Sequence, residues 1–260
     1  MNLNAHIDYL TDFARNHLTG NQEDDRLIEL KLHHTLNVLK NAEAIVKAES
    51  ILGDVGRHSL LAALYHDIGR FPQFLKYKTF NDRESDNHGR IGVLAMRAAA
   101  LPDDVSSKDW RFVRAAVGLH NARFINPATP SAIMTPTQVV RDADKLDIMR
   151  IFIDHFNNPD ESSASVTFGL DDDQTLYSPK MYQDAIESKT GNYNDIKYVN
   201  DFKLLLIGWL QDFNFISSLK IIKKRRYVDE IFKLLPKDKN IQALKLKTNV
   251  FLINIGVDTP

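Results

Sequence analysis

Apolar residues recur every three to four positions along most of the chain, which is the spacing of an amphipathic α-helix. Glycines and prolines punctuate this pattern, and the stretch 75–87 is polar and irregular. Three prolines within 124–136 indicate a loop or a broken connection. The first part of the chain is therefore predicted to form helices over 2–19, 23–49, 58–66, 87–100, 108–119 and 137–155.

The helical pattern lapses around residues 157–178, where asparagine, proline and an acidic run at 171–173 indicate an exposed connection. Short strands are predicted at 166–168 and 176–177. Helical spacing returns over 179–188, 200–216, 217–234 and 238–254. We expect an all-α protein with a helical domain over 1–156, and a helical C-terminal extension or subdomain over 157–260 packed on it.

Composition limits the available chemistry. Hydrophobic residues make up 43% of the chain and charged residues 26%, which is ordinary globular usage. There is no cysteine, so any metal must be held by nitrogen and oxygen ligands. The net charge of −1 does not indicate nucleic acid or a membrane as the main partner.

The N-terminus lacks the basic region and apolar stretch of a signal peptide. The longest apolar run, near 204–210, is far shorter than the roughly 20 residues that span a bilayer. We expect a cytoplasmic protein.

An adjacent histidine and aspartate, His66 and Asp67, end the apolar segment 60–65. A carboxylate at the end of so apolar a run must be paired, hydrogen-bonded or metal-bound, because burying it alone is very costly. At a helix end both side chains can reach one ion, and Asp67 can also bridge two ions with its two oxygens.

Helical spacing separates the neighbours His33 and His34. His34 shares a face with Leu30, Val38 and Ile45, so it is predicted to point inward. The alternative is a core histidine bonded to a backbone carbonyl. His33 falls on a polar face with Arg26, Glu29, Asn37 and Lys40.

A second inward carboxylate is predicted at Asp144. Val140 and Asp144 share a helical stripe with Asp147 or Ile148, whereas Asp142 lies about 200° away at ~100° per residue. Asp142 is therefore expected to be an outer carboxylate, or one that contacts a ligand residue without binding the metal itself. The alternative for Asp144 is a helix cap or a salt bridge with Arg141 or Lys145.

The order His34, His66–Asp67, Asp144 resembles the His…His-Asp…Asp order of the HD-domain superfamily. Residues 66–70 contain its HDIG variant, and the segments 31–38 and 142–147 are similar to the flanks of its first and last ligands. The likeness covers roughly residues 25–155. It implies an HD-type metal-binding helical bundle with these four residues as ligands.

Superfamily members with two metals resemble this chain in carrying extra histidines between the HD pair and the final aspartate. That likeness implies a second ion held by Asp67, His88 and His120. The alternatives are that His88 lies in a polar loop beside Asp86, or that either histidine binds substrate phosphate. Nitrogen and oxygen ligands suit one or two ions of Mn, Fe, Zn, Co or Ni.

Arg70 directly follows the HDIG residues, and in related sequences a basic residue there often faces the substrate. A guanidinium suits phosphate, so Asp67 and Arg70 are the candidate catalytic residues. The alternative for Arg70 is a surface salt bridge. Arg141 and Lys145 are weaker candidates for the same role, and the loop 79–88 is expected to border the pocket, with Arg83, Glu84 and Asp86 as candidates.

The resemblance implies a metal-dependent phosphohydrolase that uses metal-activated water on a phosphate mono- or diester, with nucleotides as the expected substrates. The alternatives are an HD-type di-iron oxygenase that cleaves a carbon bond, and a non-catalytic nucleotide-binding regulatory module. The intact ligand set argues against the last. The basic run at 220–226 is interpreted as the solvated face of a helix, so tight nucleic-acid binding is not expected.

Overall fold

The computed structural model describes residues 1–157, 170–171 and 173–256. Over these ranges the regular structure is helical, apart from one isolated parallel bridge between Asp171 and Tyr198. The all-α prediction is confirmed. The predicted strand at 176–177 is wrong, since those residues are irregular, and the one at 166–168 lies outside the described residues.

The chain divides into two compact units, Met1–Asp147 and Ile148–Pro260. The domain boundary expected after residue 156 stays a prediction. The helices that begin in the first unit are α1 (Leu3–Arg15), α2 (Gln22–Ala48), α3 (Gly53–Tyr65), α4 (Arg70–Tyr77), α5 (His88–Ala98), α6 (Ser107–Leu119) and α7 (Ser131–Asn157).

The second unit continues with helices of 8 to 16 residues. No described helix of either unit is long and apolar enough to cross a membrane. The helices of the second unit are α8 (Pro179–Ile186), α9 (Val199–Gly208), α10 (Ile216–Lys224), α11 (Tyr227–Leu234) and α12 (Lys239–Asn254), with 3-10 turns at Tyr193–Asp195 and Trp209–Asp212. The predicted helix over 217–234 is in fact two, because Arg226 adopts a left-handed conformation with φ 58°.

Helix α3 is the centre of the first unit. It packs against α1, α2 and α6, and its last turns, from Leu61 to Tyr65, are almost completely buried. Helix α5 packs against α4 and α6. Because α3 ends at Tyr65, the fold delivers the next two residues, His66 and Asp67, into the interior of the bundle.

The apolar face of α2 differs from the prediction in its first turns. Leu30 is 42% exposed, and Ile28 and Leu32 are buried instead. Val38 and Ile45 are buried as expected. In so long a helix, helical spacing is compatible with several neighbouring apolar faces. Packing against α1 and α3 determines which of these faces is buried.

Two prolines do not end helices where the sequence predicts. Pro72 lies in the first turn of α4, where its missing N–H is not needed, so a helix forms between the predicted helices 58–66 and 87–100, where none was predicted. Pro136 lies inside α7, which begins at Ser131 within the predicted loop 124–136. So near the helix start, Pro136 removes a single backbone hydrogen bond.

Candidate metal centre

The predicted ligands come from five separate places in the first unit. His34 lies in the middle of α2, His66 and Asp67 follow α3, and His88 opens α5. His120 follows the last residue of α6, and Asp144 lies in α7. The four histidines and Asp67 are all buried, with at most 6% of any of them exposed.

The first group contains His34, His66 and Asp144, whose candidate ligand atoms all lie within 4.8 Å of one another. Nε2 of His34 lies 3.0 Å from Oδ1 of Asp144, and Nε2 of His66 lies 3.9 Å from the same oxygen. Two imidazoles and a carboxylate in this arrangement can hold a transition-metal ion.

The second group contains Asp67, His88 and His120, again with all candidate ligand atoms within 4.8 Å. Nε2 of His88 lies 3.0 Å from Nε2 of His120 and 3.6 Å from Oδ1 of Asp67. The structure therefore brings together all six side chains that the sequence nominates.

Asp67 lies between the two groups. Its Oδ1 faces His88, while its Oδ2 lies 3.6 Å from Nε2 of His66 and 3.7 Å from Nε2 of His34. Each oxygen thus faces a different group, as a carboxylate that bridges two ions requires.

Hydrogen bonds orient all four imidazoles through Nδ1. Carbonyl and ionised carboxylate oxygens only accept, so each Nδ1 carries a hydrogen, and in the neutral form of each ring Nε2 has the lone pair. The acceptors are Asp147 for His34 at 2.7 Å, Asp82 for His88 at 2.7 Å, the Ala63 carbonyl for His66 at 2.8 Å and the Val117 carbonyl for His120 at 2.6 Å.

The surroundings of the four Nε2 atoms show whether the site suits a metal ion. Nε2 of His66 is buried and has no hydrogen-bond partner, which is costly unless a cation binds there. Nε2 of His34 faces the carboxylate of Asp144, and the Nε2 atoms of His88 and His120 face each other. Lone pairs and a negative charge that converge in a buried space fit a metal cation.

The protonation states favour the same conclusion. Burial lowers the pKa of His66, and burial together with the electrostatic effect of the neighbouring His88 and His66 lowers the pKa of His120 to about 3. Both imidazoles are therefore neutral, as metal ligands must be. Although burial opposes it, hydrogen bonds with Asp144 and Asp147 raise the pKa of His34 to about 9, so a metal must displace a proton there.

Two cations flank Asp67. Nζ of Lys31 lies 3.2 Å from its Oδ2, and Nε of Arg70 lies 3.4 Å from its Oδ1. Although burial raises the pKa of Asp67, electrostatic interactions with Lys31, His66 and Arg70 hold it well below the usual range. Asp67 is therefore ionised.

Arg70 is near the ligands, as the sequence suggests, but its side chain is tied into the protein. Its Nη1 donates to Asp82 Oδ1 at 2.8 Å and to Gln73 Oε1 at 3.0 Å. Its side chain is 14% exposed, so it is no surface salt bridge. The contact of Arg70 with substrate stays a prediction.

Sequence reasoning missed Lys31, Asp82 and Asp147. Lys31 precedes His34 by one helical turn, and Asp147 follows Asp144 by one turn, so helical spacing was an available signal for both. Asp82 lies in the irregular loop, where no periodic signal exists. The loop residues that were nominated, Arg83, Glu84 and Asp86, are exposed.

Of the two alternatives for Asp142, the outer carboxylate is excluded. Asp142 is completely buried, whereas the side chain of Asp144 is 23% exposed. This stretch of α7 is buried around most of its circumference, so facing away from Asp144 does not mean facing solvent. Arg141 donates through Nη1 to the His120 carbonyl at 3.3 Å, and Lys145 is only 9% exposed.

The fold and the donor set define a helical domain with two groups of side chains that could hold a metal ion. Residues 32–149 match the sequence model of the HD domain, and this part of the chain belongs to the HD-domain superfamily. The match contains all six candidate ligands. No curated protein and no solved structure matches the chain. HD domains bind divalent metals and are generally metal-dependent phosphohydrolases.

Proposed function

We propose that this protein is a metal-dependent phosphohydrolase that acts on a phosphate mono- or diester, with a nucleotide as the expected substrate. The observation that carries the proposal is the pair of three-ligand groups on either side of Asp67, with the cations Lys31 and Arg70 at its two oxygens. The HD domain supports the same reaction class.

The ligands divide into two sets. His34, His66 and Asp144 would hold one ion, His88 and His120 the other, and Asp67 would reach both. A bound divalent metal would supply a water nucleophile activated at neutral pH and offset charge on the phosphoryl oxygens. The nitrogen and oxygen donors suit Mn, Fe, Zn, Co or Ni.

The cations favour a phosphate ester over the substrate of an oxygenase. Lys31 is 22% exposed and Arg70 14%, so both combine access from solvent with a position beside the ligands. A phosphate ester brings negative charge that pairs with them, and such charge-assisted hydrogen bonds are the strong ones. Cleavage of a carbon bond in an uncharged molecule has no need of this pair.

The first test is metal analysis of protein purified without added metal, followed by orthophosphate release from nucleotides and by cleavage of a diester with Mn added. We expect release by the wild type and loss of release in Asp67→Asn. Asp86→Asn is the matched control, because it removes the same charge from an exposed position and should retain the wild-type rate.

Two other outcomes reject the proposal. Two irons per chain with no phosphate release would favour the oxygenase. Full metal loading with nucleotide binding but no turnover would favour the regulatory module.

We further propose a small-molecule partner, a cytoplasmic location and no tight binding of nucleic acid or membrane. Lys220 and Lys224 lie in α10, Arg225 and Arg226 lie between α10 and α11, and all four are exposed. With a net charge of −1, the counterion release that drives tight duplex binding is small. A steeply salt-dependent affinity for DNA or RNA that is lost when these four residues are neutralised would reject this part of the proposal.

A further inference from the structure

The loop between α4 and α5 carries a carboxylate that supports the second ligand group from outside. Oδ2 of Asp82 accepts a hydrogen bond from Nδ1 of His88 at 2.7 Å and one from Nδ2 of Asn121 at 3.3 Å. Oδ1 of Asp82 accepts from Nη1 of Arg70 at 2.8 Å and from Nε2 of Gln73 at 3.0 Å. One oxygen therefore serves the histidine and the other serves the arginine.

We propose that Asp82 is a positioning residue for the second metal position, and that it couples His88 to Arg70. By accepting from Nδ1, Asp82 fixes the tautomer of His88 and leaves the lone pair of Nε2 toward Asp67 and His120. This role rests on the two ligand groups of the proposed function, but not on the reaction that they perform.

The corresponding support in the first group has a different origin. His34 donates to Asp147, which lies in α7 and is completely buried, whereas the side chain of Asp82 is 29% exposed. The first group is thus held within the helical core, and the second group depends on the path of a loop. A change at Asp82 should weaken the second ion and leave the first in place.

The chemistry of the contacts determines the useful substitutions. Every group that faces Asp82 is a donor, on both of its oxygens. Asp82→Asn keeps the shape of the side chain but replaces one accepting oxygen with an NH2 group. That NH2 group then faces either Nδ1 of His88 or Nη1 of Arg70, and neither of these donors can accept its hydrogens. Asp82→Ala removes both acceptors. Asp86→Asn is the matched control, because its carboxylate lies in the same loop and contacts Tyr77 at 2.9 Å.

The experiment is a titration of the chelator-stripped full-length chain with Mn²⁺, with free and bound Mn²⁺ followed by electron paramagnetic resonance. In Asp82→Asn we expect the second ion to bind about 10–100-fold more weakly, as for the loss of other outer hydrogen-bond partners. Asp82→Ala should lose more, and the affinity for the first ion should not change. Asp86→Asn should match the wild type, and equal circular dichroism would establish that all variants are folded.

A double variant identifies which ion is affected. In a chain that already carries His120→Ala, and so lacks the second group, Asp82→Asn should have no further effect on the remaining ion. Four results would overturn the role of Asp82: wild-type affinity for both ions in Asp82→Asn, an equal loss in Asp86→Asn, weakening of the first ion, or a wild type that binds only one ion.

Phosphate release, measured on the same samples, separates this role from the proposed function. Selective loss of the second ion in Asp82→Asn, together with no hydrolysis of any ester by the loaded wild type, would reject the phosphohydrolase and leave the positioning role standing. Hydrolysis by the wild type, with both ions retained in Asp82→Asn, would support the phosphohydrolase and reject the positioning role of Asp82.

Discussion

The Nε2 atoms of His88 and His120 lie 3.0 Å apart, and neither can donate a hydrogen bond to the other in the neutral state. The hydrogen of each ring is held at Nδ1, by Asp82 in one case and by the Val117 carbonyl in the other. Two lone pairs this close in a buried space repel each other unless a cation lies between them. The pair is therefore organised for a ligand and not for mutual hydrogen bonding.

Replacing either of these histidines should remove one ion and leave the other. We expect His88→Ala and His120→Ala each to lower the metal content from two ions per chain to one, because the first group keeps its own three donors. Elemental analysis of the loaded protein measures this. Unchanged metal content in both variants would exclude a second metal group and return the two histidines to the substrate pocket.

The neighbours His33 and His34 provide an internal control for the first group. His34 is 4% exposed and its Nε2 lies 3.0 Å from Asp144, whereas the neighbouring His33 is exposed. His34→Ala should strip the first ion and abolish activity while the helical circular dichroism persists. His33→Ala should retain metal and activity, and a loss in His33→Ala equal to that in His34→Ala would contradict the assignment.

The sequence was most informative where local periodicity and burial coincide. His34 was predicted correctly to point inward because its helix is long and its flanking positions differ sharply in polarity. The pair His66–Asp67 stood out because every residue of the preceding segment 60–65 is apolar or aromatic. The convergence of these residues with Asp144 came from a resemblance, since no local rule brings together side chains that lie so far apart in the chain.

The parts that could not be predicted depend on packing and on loop paths. The exposure of Leu30 and the burial of Asp142 depend on how neighbouring helices cover α2 and α7. Helix α4 was missed because a proline in a first turn and a proline that ends a helix look alike in sequence. Asp82 contacts His88 only because the irregular loop turns back onto α5.

Removing the guanidinium of Arg70 should slow catalysis. Arg70→Ala should lose on the order of tens- to a thousandfold in the rate of orthophosphate release, by analogy with the loss of one transition-state donor. Arg70→Lys keeps the charge without the planar fork and should retain part of the activity. Both variants should keep their metal, because Arg70 is not one of the donors.

The exposed Arg83 in the neighbouring loop is the matched control for this substitution. Arg83→Ala changes the net charge by the same amount and should leave the rate unaltered. Equal rates in wild type, Arg70→Lys and Arg70→Ala would remove Arg70 from the active site.

Outside the metal centre, His6 forms a separate buried network in the same unit. The side chain is completely buried, with Nδ1 3.0 Å from the hydroxyl of Tyr65 and Nε2 2.8 Å from Oδ1 of Asp104. Burial lowers the pKa of His6, and the nearby Asp104 only partly offsets this. His6 is therefore neutral in the folded protein at neutral pH, with Nε2 donating to Asp104.

This network should make stability depend on pH in a defined direction. The folded-state pKa of His6 lies below the unfolded value of about 6.5, so acid adds a proton to the unfolded chain first. The free energy of unfolding should be level above pH 6.5 and fall as the pH drops toward the folded-state pKa. His6→Gln loses hydrogen bonds, so at pH 7.5 it should be less stable by about 1–3 kcal/mol. Because the variant has no imidazole to protonate, its deficit should shrink at pH 5.5.

The stability deficit of Asp104→Asn should grow as the pH falls, whereas the deficit of His6→Gln should shrink. The carboxylate raises the pKa of His6, so its neutralisation should lower that pKa further and deepen the loss of stability between pH 6.5 and 5.5. Urea unfolding of metal-loaded wild type and both variants at pH 7.5, 6.5 and 5.5 measures all three dependences, with metal content verified at each pH. A deficit of His6→Gln that stays constant or grows in acid would show that the folded-state pKa of His6 is not lowered.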